Sequence, residues 1–128
     1  MRDYLDYVKL KKMYCDIEIL FGNISDKGKL TYVIPTYKRF DLLKRCVASI
    51  INQNECDHDY SIIISDNNFE TIQDFKINPQ KYSFFKNNGV IYCVNKKNIG
   101  GGANCNQAVL LAKTTYICMV HDLSLIHI

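Results

Sequence analysis

The sequence predicts an α/β fold with a mainly parallel sheet flanked by helices, and three observations carry that expectation. Short apolar runs recur at Leu30–Ile34, Ser61–Ser65, Val90–Val94 and Tyr116–Val120. Segments with helical spacing of apolar residues lie between them, the strand–helix alternation of a right-handed parallel arrangement. The clearest run, SIIIS, is apolar on successive residues, as a parallel strand covered on both faces is. In such sheets ligands bind beyond the carboxyl ends of the strands. Thr36 and Tyr37, Asp66, and His121 with Asp122 all stand at ends of this kind.

Taken in order, Asp3 to about Met13 mixes apolar and charged residues at helical spacing, and a short amphipathic helix is expected there. Asp16–Phe21 reads as a short strand and Gly22–Gly28 as a polar turn segment. Residues 1–29 together form an extension that packs or interacts and carries no chemistry. Leu30–Ile34 is the first core strand, expected to stop at Pro35. Thr36, Tyr37, Lys38 and Arg39 follow as a polar, cationic loop. A buried strand that runs through such a loop into a helix N-terminus is a frequent way to build an anion or nucleotide site.

Asp41 precedes Leu42, Leu43, Cys46, Val47, Ile50 and Ile51, a stripe at i, i+3, i+4, i+7 spacing. That is a helix with one buried face, with Asp41 as N-cap or first-turn acid. Asn52–Asp57 ends it. After Ser61–Ser65 and the turn Asp66-Asn67-Asn68, Glu70–Lys76 reads as a short helix and Asn78–Asn88 as irregular. Val90–Val94 is the third core strand. Asn95 to Gly102 is a polar, glycine-rich loop, Ala103–Lys113 a helix, and Tyr116–Val120 the fourth core strand.

A chain of 128 residues holds one small domain or part of a larger one. The net charge of +3 is too small, and the basic residues too scattered, to point to nucleic acid. No apolar run is long enough to span a membrane and no signal peptide opens the chain, so a cytoplasmic location is expected. The six cysteines include no CxxC pair and read as small buried hydrophobes of a reducing compartment. Leu123–Ile128, LSLIHI, looks like the translation of a transposase adapter end used in sequencing libraries. It is set aside as a non-native tail.

Several residues carry a chemical reading beside a structural one. Asp66 is placed to accept hydrogen bonds from a base or ribose, or to close an Asx-turn at the strand exit. Gly100-Gly101-Gly102 lies between strand and helix, but a dinucleotide fingerprint would need glycine where Cys105 stands, and no GxxxxGK[ST] occurs. A tight turn with positive φ is the simpler reading. His121-Asp122 offers oxygen and nitrogen donors where a hard cation could bridge to a diphosphate, or is a polar strand terminus. Tyr37 is suited to lie beside a base, and Lys38 and Arg39 to face a pyrophosphate, though such residues are commonly just packed or solvated.

The ordered set of motifs resembles the N-terminal half of an inverting family 2 glycosyltransferase of the GT-A fold. VIPTYKRFDLLKRCVASIINQ is similar to that family's opening strand, loop and helix. SIIISDNN resembles its second strand with the nucleotide-binding aspartate. NIGGGANCNQAVLLAKTTYICMVHD resembles its asparagine–glycine loop, helix and strand leading into the aspartate-rich metal motif. The likeness covers about Leu30–Asp122, so residues 30–122 are expected to be the nucleotide-sugar-binding half of a GT-A, Rossmann-like sandwich, cut after about its fourth core strand.

The resemblance implies roles for particular residues. Pro35, Thr36 and Tyr37 would contact the nucleobase, usually uracil, and Asp66 the base or ribose. Arg39 would join the nucleotide-sugar contacts, and Asn98, Gly100 and Asn106 would shape the donor pocket. His121 and Asp122 would open the metal motif, with Asp122 a ligand of Mg²⁺ or Mn²⁺ or the ribose-contacting neighbour of the ligand. Cys105 replaces an arginine common in the loop–helix segment, which removes one expected phosphate or donor contact. The implied reaction moves a sugar, with inversion, from a nucleotide-diphosphate sugar, expected to be UDP-linked, to an acceptor hydroxyl. The cation and nearby donors stabilise the leaving diphosphate and a carboxylate base takes the hydroxyl proton. The base is expected beyond residue 128, the chain alone is expected to be inactive, and the acceptor (glycan, lipid-linked or protein) is open. Two alternatives stand beside this reading. One is a non-catalytic nucleotide-binding or interaction module. The other is a sugar-phosphate nucleotidyltransferase, disfavoured because the loop PTYKRF lacks glycine.

Overall fold

A computed structural model describes residues 13–54 and 59–122. The chain runs β1 (Ile17–Phe21), β2 (Leu30–Thr36), α1 (Phe40–Gln53), β3 (Tyr60–Asp66), α2 (Glu70–Ile77), a 3-10 turn (Pro79–Tyr82), α3 (Ser83–Asn87), β4 (Ile91–Asn95), α4 (Gly101–Leu111) and β5 (Tyr116–Met119). The five strands form one sheet in the order β1-β4-β3-β2-β5. Strands β2 to β5 are parallel, and β1 lies antiparallel to β4 at the edge. This is the mixed α/β arrangement of a GT-A-type, Rossmann-like fold. The chain steps from β2 to β3 to β4 in one direction, then crosses back through α4 to place β5 beside β2. The strand order therefore reverses between β2 and β5, and a crevice forms at such a point beyond the strand ends.

Neighbouring residues of each central strand enter opposite layers. Ile34, Ile62, Ile64, Tyr92 and Val94 pack with Leu43, Cys46, Val47 and Ile50 of α1 and with Tyr82 and Phe85. Val33, Ile63, Ile91 and Cys93 pack with Ala108 and Leu111 of α4. Two covered faces explain the unbroken apolar runs, since each fully buried Val or Ile contributes roughly 1.5–3 kcal/mol whichever face it takes.

The structure corrects several sequence expectations. β2 does not stop at Pro35 but continues to Thr36, with Pro35 paired to Ser65 of β3. The Val33 carbonyl accepts from Val120 on the β5 side and the Thr36 carbonyl from Asn67 on the β3 side. By the period of two, the N–H that Pro35 lacks would face β5, whose pairing with β2 ends at Val33. Proline there breaks no ladder bond. Asn78–Asn88 is not irregular: it holds the 3-10 turn and α3, which deliver Tyr82 and Phe85 to the core. Asp41 is a first-turn acid and not the N-cap, a position taken by Arg39 without a side-chain bond. α4 starts at Gly101 and ends at Leu111, earlier at both ends than expected.

β5 is an edge strand with Tyr116 and Ile117 exposed, unlike the doubly covered strands beside it. Cys46 and Cys93 are buried as expected, whereas Cys118 on β5 is exposed and Cys15 and Cys105 are half-buried. The expected helix at Asp3–Met13 lies, apart from Met13, outside the described residues, and so does the tail Leu123–Ile128. Among the described residues no helix is long and apolar enough to cross a membrane.

Candidate functional site

The loop between β2 and α1 is only three residues long. Lys38 turns it by adopting φ 54°, the left-handed region a β-carbon disfavours. Its ammonium lies 5.3 Å from the centre of the exposed Tyr37 ring and 4.0 Å from Glu70. The sharp turn leaves Thr36 inside and brings Arg39 back over the strand end. The Thr36 hydroxyl donates to Asp122 Oδ2 at 2.7 Å, and Arg39 Nη1 donates to Oδ1 at 3.2 Å. Asp122 is 2% exposed while the Arg39 side chain is nearly half-exposed. A buried carboxylate is thus paired and hydrogen-bonded on both oxygens, the condition under which burial of charge is tolerated. Its negative charge adds to burial in pushing the Cys46 thiol up to about 11.

Asp66 ends β3 with its carboxylate turned inward. Oδ1 accepts from the Asn68 backbone N–H at 2.9 Å, closing an Asx-turn, and Oδ2 accepts from Thr71 and Tyr92 hydroxyls at 2.8 Å each. Burial raises its pKa above the ordinary value of 3.8, and the three hydrogen bonds oppose the rise. Thr36, Arg39 and Asp66 line a cleft of about 720 Å³ with Lys38, Asn68 and Phe69, and Asp74, Lys81 and Tyr82 also line it. Asp74 is held below its ordinary value by the Tyr82 hydroxyl first and by Lys81 second.

The asparagine–glycine loop sits on a run of side-chain amides. Asn98 Oδ1 accepts from Asn67 Nδ2 at 2.8 Å and from the Gly100 N–H at 2.9 Å. Gly100 has φ 84° and ψ 160°, a conformation available essentially to glycine alone. Beneath it Asn95 Nδ2 donates to Asn67 Oδ1 and Asn104 Oδ1, Asn104 bonds the Ser65 side chain and carbonyl, and Gln107 Nε2 donates to Asn95 Oδ1. Gln107 Oε1 accepts from the Tyr14 and Cys15 N–H groups, tying the segment before β1 to α4. No buried side-chain polar atom among the described residues lacks a partner.

The structure therefore joins Thr36, Arg39 and Asp122 by direct bonds, places Asp66 in the same cleft, and couples Asn98 to Gly100. Pro35 is buried within the sheet, and Tyr37 and His121 are exposed beside the strand ends. Asn106 stands apart from the loop; its exposed Nδ2 donates to the Tyr14 hydroxyl at 3.2 Å. The buried amides Asn67, Asn95, Asn104 and Gln107 were not singled out by sequence reasoning. One signal was present: Asn104, Gln107, Ala108 and Leu111 share a helical stripe whose other members are apolar. Among the described residues no three His, Cys, Asp or Glu side chains gather as a metal site. With both Asp122 oxygens engaged, the described residues do not by themselves make a ligand set for Mg²⁺ or Mn²⁺.

Comparison with known proteins adds an independent line. Residues 31–122 match the family model for Glycosyl transferase family 2. Over 98 residues, 72% of this chain, the sequence is 36% identical to a poly(ribitol-phosphate) beta-glucosyltransferase of Bacillus spizizenii, of which that stretch is 14%. Over 96 residues, 74% of this chain, it is 29% identical to an uncharacterized glycosyltransferase of Methanocaldococcus jannaschii, of which that stretch is 32%. The chain thus spans a minor part of the length of either relative.

Proposed function

The chain belongs to glycosyl transferase family 2, and from that premise we propose that the full-length protein transfers a sugar from a nucleotide-diphosphate sugar, UDP-linked, to an acceptor hydroxyl with inversion. What most supports this reading is the convergence at the strand ends: Thr36 and Arg39 both donate to Asp122 at the point where strand order reverses, beside the cleft that holds Asp66. Such a crevice is where an open α/β sheet takes a nucleotide.

In this reading Thr36, Tyr37 and Asp66 receive the nucleoside and Pro35 sets the strand end behind them. Arg39 faces the diphosphate. One of its five donors is engaged with Asp122, and a guanidinium is suited to a phosphate pair. The negative charge of the leaving diphosphate grows as the glycosidic bond breaks, so a cation already fixed in place stabilises the transition state more than the ground state. Asn98 and Gly100 shape the floor for the donor. Mg²⁺ or Mn²⁺ is proposed as a cofactor of the whole protein. The described residues offer it only Asp122, and the roles above do not depend on it. No general base is assigned among residues 13–54 and 59–122. The 128-residue chain alone is expected to bind nucleotide without turning it over.

The test is release of nucleoside diphosphate from a panel of nucleotide-sugars by the full-length protein, alone and with candidate acceptors. Release from a UDP-sugar, reduced about tenfold or more in kcat/KM by Arg39→Ala, is expected. Absence of binding to any nucleoside diphosphate would overturn the reading.

A further inference from the structure

Asn67 is 3% exposed and is placed in none of the donor contacts above, yet it joins three strand ends. Its backbone N–H donates to the Thr36 carbonyl at 2.9 Å, at the end of β2. Its Oδ1 accepts from Asn95 Nδ2 at 3.1 Å, at the end of β4, and from the Ile99 N–H at 3.0 Å. Its Nδ2 donates to Asn98 Oδ1 at 2.8 Å, the same oxygen that receives the Gly100 N–H. A single short planar amide supplies both the donor and the acceptor. Alanine would supply neither: it would leave the Ile99 N–H unpaired and the Asn95 amide with Asn104 Oδ1 as its one remaining acceptor.

We infer that Asn67 is a positioning residue for nucleotide-sugar use, which fixes the Asn98–Gly100 loop relative to Thr36. The inference rests on the donor-binding reading above. Its basis is geometric. Gly100 must hold a conformation outside the ordinary allowed regions, and Asn98 Oδ1 is the acceptor that fixes its N–H. Asn98 is exposed and cannot be held by packing. The bond from Asn67 is what ties that oxygen to the sheet. Misplacement of a binding loop by about an ångström can cost on the order of a hundredfold in rate.

The test compares Asn67→Ala with wild type in the full-length protein. The expected result is a KM for the nucleotide-sugar raised about ten- to hundredfold with a smaller change in kcat. Backbone amide exchange at Ile99 and Gly100 should be accelerated while exchange within β2 and β3 is not. A purely structural asparagine would lower thermal stability and quicken Ile99 exchange while leaving KM unchanged, and an unchanged KM would overturn the inference. If Asn67→Ala does not fold, Asn67→Asp replaces it: this variant keeps the acceptor for Ile99 and Asn95, and in place of the donor it turns a carboxylate oxygen toward Asn98 Oδ1. A raised KM with faster Gly100 exchange then supports the inference, and wild-type values for both overturn it. If wild-type protein uses no nucleotide-sugar, the donor reading itself has failed; the exchange data still decide whether Asn67 holds the loop.

Discussion

The Thr36 hydroxyl donates to Asp122 Oδ2 at 2.7 Å, joining the carboxyl end of β2 to the segment that follows β5. Both residues are buried, at 5% and 2% exposure. Thr36→Val keeps the shape and removes the donor. It is expected to lower stability by about 1–3 kcal/mol, the cost of a buried acceptor left short of a partner. Thr36→Ser should cost about 1 kcal/mol or less, because the hydroxyl remains while one methyl is lost. Urea denaturation midpoints of the two variants check this directly.

Asp66 should give a measurable pH signature. Burial raises its folded-state pKa above 3.8, whereas in the unfolded chain it titrates near that value. Below 3.8 the carboxyl is neutral in both states and burial costs nothing on this account. As pH rises through the raised folded value, ionisation of the buried group takes stability away. Asp66→Asn has no such group, so its stability relative to wild type is expected to improve as pH rises from 3.8 through that value, then level off. Stability measured against pH for both proteins tests the sign. A flat difference would contradict it.

At Asp74 the sign is opposite. The Tyr82 hydroxyl and Lys81 hold its carboxyl below 3.8. Their stabilisation is present above the unfolded value and is lost as pH falls through the lowered folded one. Tyr82→Phe removes the leading cause, and an NMR titration should find the Asp74 pKa moved back toward 3.8.

Gly100 offers a test of backbone conformation without packing. A β-carbon built there meets nothing within 4 Å, yet φ is 84°. Gly100→Ala is therefore expected to cost about 1–3 kcal/mol from strain alone. Gly101→Ala also meets nothing within 4 Å, but Gly101 lies inside α4 without positive φ, so alanine should be neutral or stabilising by up to about 1 kcal/mol. Equal effects at the two positions would contradict the assigned turn.

The core strands and α1 were legible because their patterns are dictated locally. The run at Ile62–Ile64 has to be covered twice, and the Leu43–Ile50 stripe is a helix face. The short elements between Asn78 and Asn88 were not, because four or five residues show no full helical period and Tyr82 and Phe85 look like loop aromatics until β4 lies beneath them. Pro35 misled because its tolerance depends on where β5 stops pairing. At the site, the positions of Thr36, Asp66 and Asp122 followed from strand ends alone. The amide chain through Asn67 could not be read, because the Asn67–Asn98 bond spans 31 residues and exists only once β3 and β4 are neighbours.

The most direct measurement is titration of the full-length protein and its Asp66→Asn variant with UDP, followed by isothermal calorimetry. The account expects saturable binding to wild type, weakened about tenfold or more in the variant while its fold is retained. Equal binding by both proteins, or none by either, would contradict the placement of the nucleotide at the ends of β2 and β3.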